Sequence, residues 1–310
     1  MMTNNKRVLV TGASGFIGHP CVQLLGTLGF EVHALSTKKR ENTDNTIWHQ
    51  VDILDLDKTI ELFKQIQVSH LLHLAWYVEP GYKTSIENVQ WVLASMNLLR
   101  AFHVSGGKRA VFAGTCFEYD LNGGVLLEDS TPRGANTVYG SSKHTLHELV
   151  KVYAGTTDLS VAWARIFYLY GPRENPQRLL SYVINALLNG EHAACSEGRQ
   201  ILDFLHVNDV ASALVAVLES NMSAAINIGS GIPVSVRELV YTTAELLSAV
   251  DLIDLGARPM PDNEPMVVVA NTDRLKNDIG WSPSFSLKNG LTDTIQWWQN
   301  QSPHNIDVKL

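Results

Sequence analysis

The chain has 310 residues, 45% hydrophobic and 18% charged, with a formal net charge of −7. That length and composition can bury a substantial core in one large domain or two interlocked ones. The acidic balance excludes a broad attraction to nucleic acid or to an anionic membrane surface.

No apolar run approaches membrane-spanning length and no secretory pattern precedes the first strand, so a cytoplasmic protein with neither membrane nor nucleic-acid partner is expected. Cys21, Cys116 and Cys195 are far apart, odd in number and outside any metal-ligand spacing. Reduced thiols are expected, with no disulfide and no bound metal.

In chain order, the first half alternates β-branched runs with helical patterns: "RVLVTG", a helix from about Ile17, "EVHAL", "IWHQVDI", a helix from about Leu56, "HLLHLAW", a helix from about Ile86, and "RAVFAGT". Such alternation predicts an α/β fold, a Rossmann-type doubly wound parallel sheet with helices on both faces. In "VLVTGASGFIGHPCVQLL", Gly12, Gly15 and Gly18 stand between a strand and an amphipathic helix. The first glycine permits a tight turn, the second lets backbone approach a pyrophosphate, and the third lets helix pack on strand. Helix N-terminal amides complete a dinucleotide site, to which Phe16 and Ile17 contribute.

The second strand ends in "HALSTKKR", with Ser36 where an acid would meet the adenosine ribose, then Lys38, Lys39 and Arg40. A hydroxyl and three cations suit a 2′-phosphate, which predicts NADP(H) over NAD(H). Asp52, in "QVDI", is placed to meet the adenine amino group or to close a turn, with Ile53 beside it; Leu74 and Ala75 follow the fourth strand toward the cofactor.

"TVYGSSKHTL" sets Tyr139 and Lys143 four residues apart at a helix start, on one face. "LSVAWARIFYLYG" follows as a buried strand, and beyond Pro172 the pattern turns mixed, with Pro, Gly and short strands such as "MVVVANT". A smaller, mixed α/β substrate domain is expected there. The division is 1–172 for the dinucleotide-binding domain, with 200–228 returning to it, and 173–199 with 229–310 for the substrate domain.

The TGxxGxxG loop, "HLA" after the fourth strand, Thr115 after the fifth and YxxxK beyond, together with "RIFYLYGPR", "DFLHVNDVASAL" and "NIGSGIPVSVREL" in that order, identify a resemblance. The chain resembles the extended short-chain dehydrogenase/reductase family, in particular its nucleotide-sugar epimerases, dehydratases and ketoreductases. The resemblance implies Tyr139 as catalytic acid/base, Lys143 as its helper holding the nicotinamide ribose, and Thr115 as the hydroxyl that positions the substrate oxygen. The chemistry agrees: a free phenol titrates near ~10, and a nearby ammonium favours phenolate. The resemblance also implies a homodimer through the helices beginning near Ile86 and Tyr139.

Departures narrow the reaction. Dehydratases of the family resemble one another in having Asp and Glu after the hydroxyl residue, where this chain has Cys116 and Phe117. Elimination of water therefore lacks its acid and base. Tyr168 replaces a frequent Asn, and Leu202 replaces an Arg that grips the diphosphate, a cation that Arg199 or Arg258 would have to supply; Arg178 is a further substrate-binding candidate. Trp76 replaces a usually small residue and either shapes the sugar pocket or packs under the loop beyond it. The expected function is NADPH-dependent reduction of a nucleotide-activated 4-keto-6-deoxyhexose. The alternatives are a C4 epimerase with tightly held NAD, or a non-catalytic cofactor-binding protein on the same fold.

Overall fold

The computed structural model describes residues 6–260 and 264–301. The first half forms β1 (Arg7–Thr11), α1 (Gly18–Thr27), β2 (Glu31–Ser36), β3 (Thr46–Gln50), α2 (Leu56–Gln65), β4 (His70–His73), α3 (Glu87–Val104) and β5 (Arg109–Thr115). Then come β6 (Gly124–Leu126), α4 (Val138–Gly155), β7 (Ser160–Ile166), β8 (Tyr168–Tyr170), α5 (Leu179–Leu188), β9 (Ala193–Cys195), β10 (Ile201–His206) and α6 (Val207–Glu219). The chain continues through β11 (Ala225–Ile228), β12 (Pro233–Ser235), α7 (Val236–Leu246), β13 (Ile253–Leu255), β14 (Val267–Ala270), α8 (Asp273–Asn277) and α9 (Leu287–Gln301). No helix of the described residues is long and apolar enough to cross a membrane.

Seven strands form the main sheet in the order β11-β7-β5-β4-β1-β2-β3, every neighbouring pair parallel. Alternation along β1 shows why both faces need cover: Val8 and Val10 enter one core with Cys21 and Leu25 of α1 and Leu214 of α6. Leu9 enters the other, with Phe63 of α2, Leu98 and Phe102 of α3, and Leu146 of α4. A strand buried on both faces needs apolar side chains at every position, which is what "VLV" supplies. The pattern "IWHQVDI" continues beyond the observed strand. β3 stops at Gln50 because Asp52 Oδ1 accepts the Leu54 amide at 3.0 Å and turns the chain toward α2, whose first turn is capped by Asp55.

A second sheet runs β12-β10-β14-β6, with β8 against β10, and a third pairs β13 with β9. The chain passes between the sheets repeatedly. β6 and β8, both ahead of residue 173, pair in the smaller sheet, as does β10, whereas α6 packs on α1 and β11 closes one edge of the main sheet. Asp203 of β10, fully buried, fastens the crossing: its carboxylate accepts hydrogen bonds from the Ser230 amide and hydroxyl at 2.7 Å, the Gly231 amide at 2.9 Å and the Ala270 amide at 3.0 Å. Because β1, β4 and β5 are parallel neighbours, their C-terminal ends share one edge of the main sheet, and the crevice of such a fold opens there. In parallel sheets of this kind, that is where ligands bind.

Candidate active site

The crevice begins at the glycine loop. Gly12 has φ +65°, a conformation that disfavours side chains, and a Cβ on it would stand 2.8 Å from the Ala75 nitrogen. At Gly18 a Cβ would stand 2.0 Å from the Gly12 carbonyl oxygen, so α1 lies on the loop as closely as backbone allows. No side chain caps the first turn of α1; the His19 amide donates to the Gly15 carbonyl at 3.0 Å and Pro20 has no N–H, so the Gly18 amide is the one that this turn leaves for an anion. Thr11 accepts the Leu74 and Ala75 amides at 3.1 Å each, drawing the end of β4 against the loop. A dinucleotide pyrophosphate fits this cradle, with Gly15, Phe16 and Ile17 lining it.

At the end of β2, Ser36 is buried and accepts the Lys38 amide at 3.1 Å, while Lys38, Lys39 and Arg40 are exposed. Arg40 stacks on Trp48, its guanidinium carbon 5.1 Å from the ring centre. Burial, then Arg173 and Arg40, hold the His19 imidazole below its usual pKa, so two guanidiniums act at the start of α1. Asp52 is exposed in its turn, and Ile53 is buried beside it.

Thr137 caps α4, its hydroxyl accepting the Gly140 amide at 3.1 Å, and the first two turns carry Tyr139 and Lys143 inward. The Tyr139 amide donates to the Lys83 carbonyl at 3.0 Å, and the ring is enclosed by Tyr82, Phe117 and Trp76, with centroids at 4.9, 6.3 and 6.5 Å. Thr115, buried at the end of β5, accepts the Phe117 amide at 3.3 Å and acts on the Tyr139 phenol, lowering its pKa. Tyr139, Lys143 and Thr115 therefore converge.

The electrostatics differ from the sequence expectation of an acidified phenol. Burial pushes the Tyr139 phenol well above its usual pKa, reinforced by Tyr82 and only partly opposed by Thr115. The Lys143 ammonium points to the Ala113 carbonyl, 2.8 Å away, and burial pulls its own pKa down to about 7. In this environment desolvation dominates, and the phenol rests protonated.

Cys116 is buried, with its thiol pushed up to about 12, chiefly by burial, and Phe117 packs against Tyr168 with ring centroids 6.2 Å apart. Neither offers an acid or a base at neutral pH. Arg178, before α5, stacks over Tyr82 at 5.5 Å and so reaches the crevice. Arg199 and Arg258 are placed otherwise: Arg199 is exposed and paired with Glu197, and Arg258 stacks on Tyr182 at 4.5 Å. No contact among the described residues joins either to the Tyr139 cluster. Trp76 is buried beneath the loop that follows β4.

Two groups escaped sequence reading. Lys83 holds its ammonium 4.3 Å from the Phe117 ring centre; burial, eased by Glu264 and reinforced by Arg178, keeps it below the usual lysine range. Glu118, fully buried, accepts the Thr115 amide at 2.8 Å, the Trp163 indole at 2.9 Å and Arg165 Nε at 2.8 Å. It fixes the turn that aims Thr115. A position three residues after the hydroxyl residue was the one available signal for Glu118, and Lys83 had none.

Residues 8–229 match the model of the NAD dependent epimerase/dehydratase family. The chain is 27% identical over 300 residues to CDP-abequose synthase of Salmonella muenchen, covering 94% of this chain and 97% of that protein. It is 24% identical to UDP-glucose 4-epimerase of Rhizobium meliloti, with 96% and 98% covered. Among solved structures, MoeE5 in complex with UDP-glucuronic acid and NAD superposes with a TM-score of 0.84 at 30% identity, over 96% of this chain and all of that one. A glycine cradle, a Tyr-Lys pair on one helix turn and a hydroxyl at the end of β5, in one parallel sheet, agree with the match: the chain belongs to the NAD dependent epimerase/dehydratase family, within the extended short-chain dehydrogenases/reductases.

Proposed function

We propose that this protein modifies a nucleotide-activated sugar, and specifically that it reduces the C4 carbonyl of a 4-keto-6-deoxyhexose with NADPH. The observation that carries this reading is the convergence of Tyr139, Lys143 and Thr115 inside an aromatic enclosure formed by Tyr82, Phe117 and Trp76. When bound, the nicotinamide supplies a hydride to the sugar carbon. Tyr139 gives its phenolic proton to the oxygen that becomes the alcohol, and Thr115 holds that oxygen in line with the donor. Lys143 is positioned to hold the nicotinamide ribose and to stabilise the phenolate left behind. Tyr82, Phe117 and Trp76 exclude water.

Cys116 and Phe117 in place of an acid–base pair weigh against dehydration. Ser36, Lys38, Lys39 and Arg40 support the extra phosphate of NADPH. Lys83 and Arg178, both at the crevice, are suited to the substrate's diphosphate now that Leu202 occupies the position of a gripping cation. The smaller unit, 173–199 and 229–310, is read as the substrate-binding half, its last residues from 302 lying outside the described ones.

A C4 epimerase is the second reading, favoured by the NAD in MoeE5 and by the similarity to UDP-glucose 4-epimerases. Incubation with NADPH and a nucleotide 4-keto-6-deoxysugar separates the two. Stoichiometric loss of NADPH supports reduction; tightly retained NAD in the purified protein, with no net oxidation of NADPH, refutes it. We further propose a homodimer through α3 and α4, which expose Val89, Leu93, Leu149 and Val152 at 47, 64, 45 and 66%.

A further inference from the structure

Lys143 is 3% exposed, yet no carboxylate of the described residues forms an ion pair with it. The nearest candidate by position, Glu118, is committed to Thr115, Trp163 and Arg165. What the ammonium does meet is the face of Trp76, with Nζ 3.7 Å from the ring centre, and the Ala113 carbonyl at 2.8 Å. The indole is itself held. Its Nε1 donates to Asn88 Oδ1 at 2.7 Å, and Asn88, fully buried at the start of α3, donates through Nδ2 to the Tyr82 carbonyl at 2.7 Å and the Ser85 carbonyl at 2.8 Å. Trp91 packs on the indole at 6.1 Å and Tyr139 edge-on at 6.5 Å.

We propose that Trp76 is the positioning residue of Lys143: its indole face takes the place of a counter-ion, and its N–H ties the ammonium, through Asn88, to the loop that covers Tyr139. The consequence rests on the oxidoreductase reading, because it concerns how Lys143 meets the cofactor. A carboxylate would pin the ammonium and consume its protons. An aromatic face attracts the same charge without accepting a directional hydrogen bond. An ammonium has three donors; one goes to Ala113 and one lies toward the ring, which leaves one for a ribose hydroxyl. Asn88 links this arrangement to the carbonyls of Tyr82 and Ser85, so the conformation of the 77–86 loop and the placement of the ammonium are tied together.

The groups facing Lys143 are Glu118 beyond β5, His73 at the end of β4, and Tyr139 on its own helix. His73, pushed down to about 3 by burial, stays neutral across the working range, and Glu118 is held by Arg165. A titration seen near Lys143 between pH 6 and 9 therefore belongs to Lys143, whose pKa lies at about 7.

The test is carbon-13 NMR of ε-labelled lysine in the cofactor-free full chain, with the Lys143 signal assigned by its loss in Lys143→Arg. Trp76→Leu is expected to move the Lys143 midpoint down by about one pH unit, the size of a desolvated cation–π contact, and Trp76→Phe by distinctly less. Tetrafluorotryptophan, incorporated in place of tryptophan, flattens the ring's quadrupole at almost constant shape and covers the case in which Trp76→Leu fails to fold. It too should lower the midpoint. A Lys143 midpoint unmoved by tetrafluorotryptophan, or by a folded Trp76→Leu, overturns the proposal. Hydride transfer measured in parallel keeps the two readings apart. A shifted midpoint in a protein that transfers no hydride sinks the enzymatic reading alone, and active enzyme with an unmoved midpoint sinks only the role of Trp76.

Discussion

Replacing Lys143 by Met should make the protein respond differently to pH, with a sign that burial dictates. In the folded, cofactor-free protein the Lys143 pKa is held at about 7 by desolvation, against the usual lysine value of 10.5. Between these values the unfolded chain binds a proton that the folded chain has released, so the wild type gains stability as pH rises through that window. Below pH 7 both states carry the proton and the full cost of a buried ammonium is present. Each pH unit inside the window is worth about 1.4 kcal/mol. The free energy of unfolding of the wild type relative to Lys143→Met should therefore rise by roughly 2–3 kcal/mol from pH 7 to pH 9. Urea titrations at constant ionic strength, followed by tryptophan fluorescence, measure this. The Met variant cancels the contribution of other titrating groups. Parallel stability curves over that range would show that Lys143 is not desolvated in the folded chain, and the account of a resting phenol beside a weakly basic amine would fall with it.

Tyr139→Phe should lower turnover by at least about 100-fold, the usual worth of a positioned proton donor, while fluorescence titration shows cofactor binding intact. Gly18→Ala should destabilise the chain by about 1–3 kcal/mol or more and abolish dinucleotide binding, since its Cβ would sit 2.0 Å from the Gly12 carbonyl oxygen; normal binding in a calorimetric titration would contradict the cradle. Lys38→Ala with Arg40→Ala should raise KM for NADPH about tenfold or more and leave KM for NADH nearly unchanged, because two exposed cations facing one phosphate each contribute about 1 kcal/mol. Equal effects on both cofactors would remove the phosphate reading. Leu93→Asp with Val152→Asp should convert a dimer to monomers in light scattering, and a wild type that is already monomeric would dismiss that interface.

How much of this was legible in the sequence depends on distance along the chain. The glycine loop, the Thr137 cap and the Tyr139–Lys143 spacing lie within single local segments, where periodicity and turn chemistry carry the information, and the elements formed there as patterned. Asp203 could be noticed but not interpreted: its four hydrogen bonds join residues up to 67 positions away, and no local pattern announces them. Glu118 is similar, since Arg165 lies 47 residues on. Arg199 looked like a cation for the crevice because its neighbours in sequence belong there; on the surface it meets Glu197 two residues earlier, a local pairing that outweighs a distant one. Exchange of β6, β8 and β10 into the smaller sheet was hidden for a related reason. A three-residue strand carries too little periodicity to show which sheet it will join.

The same long-range contacts explain why an aromatic enclosure, rather than a charge pair, surrounds the Tyr139 phenol. From the sequence, an ammonium four residues from the phenol is expected to lower its pKa and favour phenolate. The structure turns that ammonium to Ala113 and Trp76 and surrounds the phenol with Tyr82, Phe117 and Trp76. Of the two effects, desolvation is the larger, whereas the Lys143 charge, held against Ala113 and Trp76, is not among the causes that shift the phenol. On the proposed reading, a donor that rests protonated gives up its proton in the same event as the hydride transfer. For a reductase, that coupling protects against futile proton loss. For an epimerase, whose first step removes a proton, the same resting state would be an obstacle that bound NAD must overcome in every cycle.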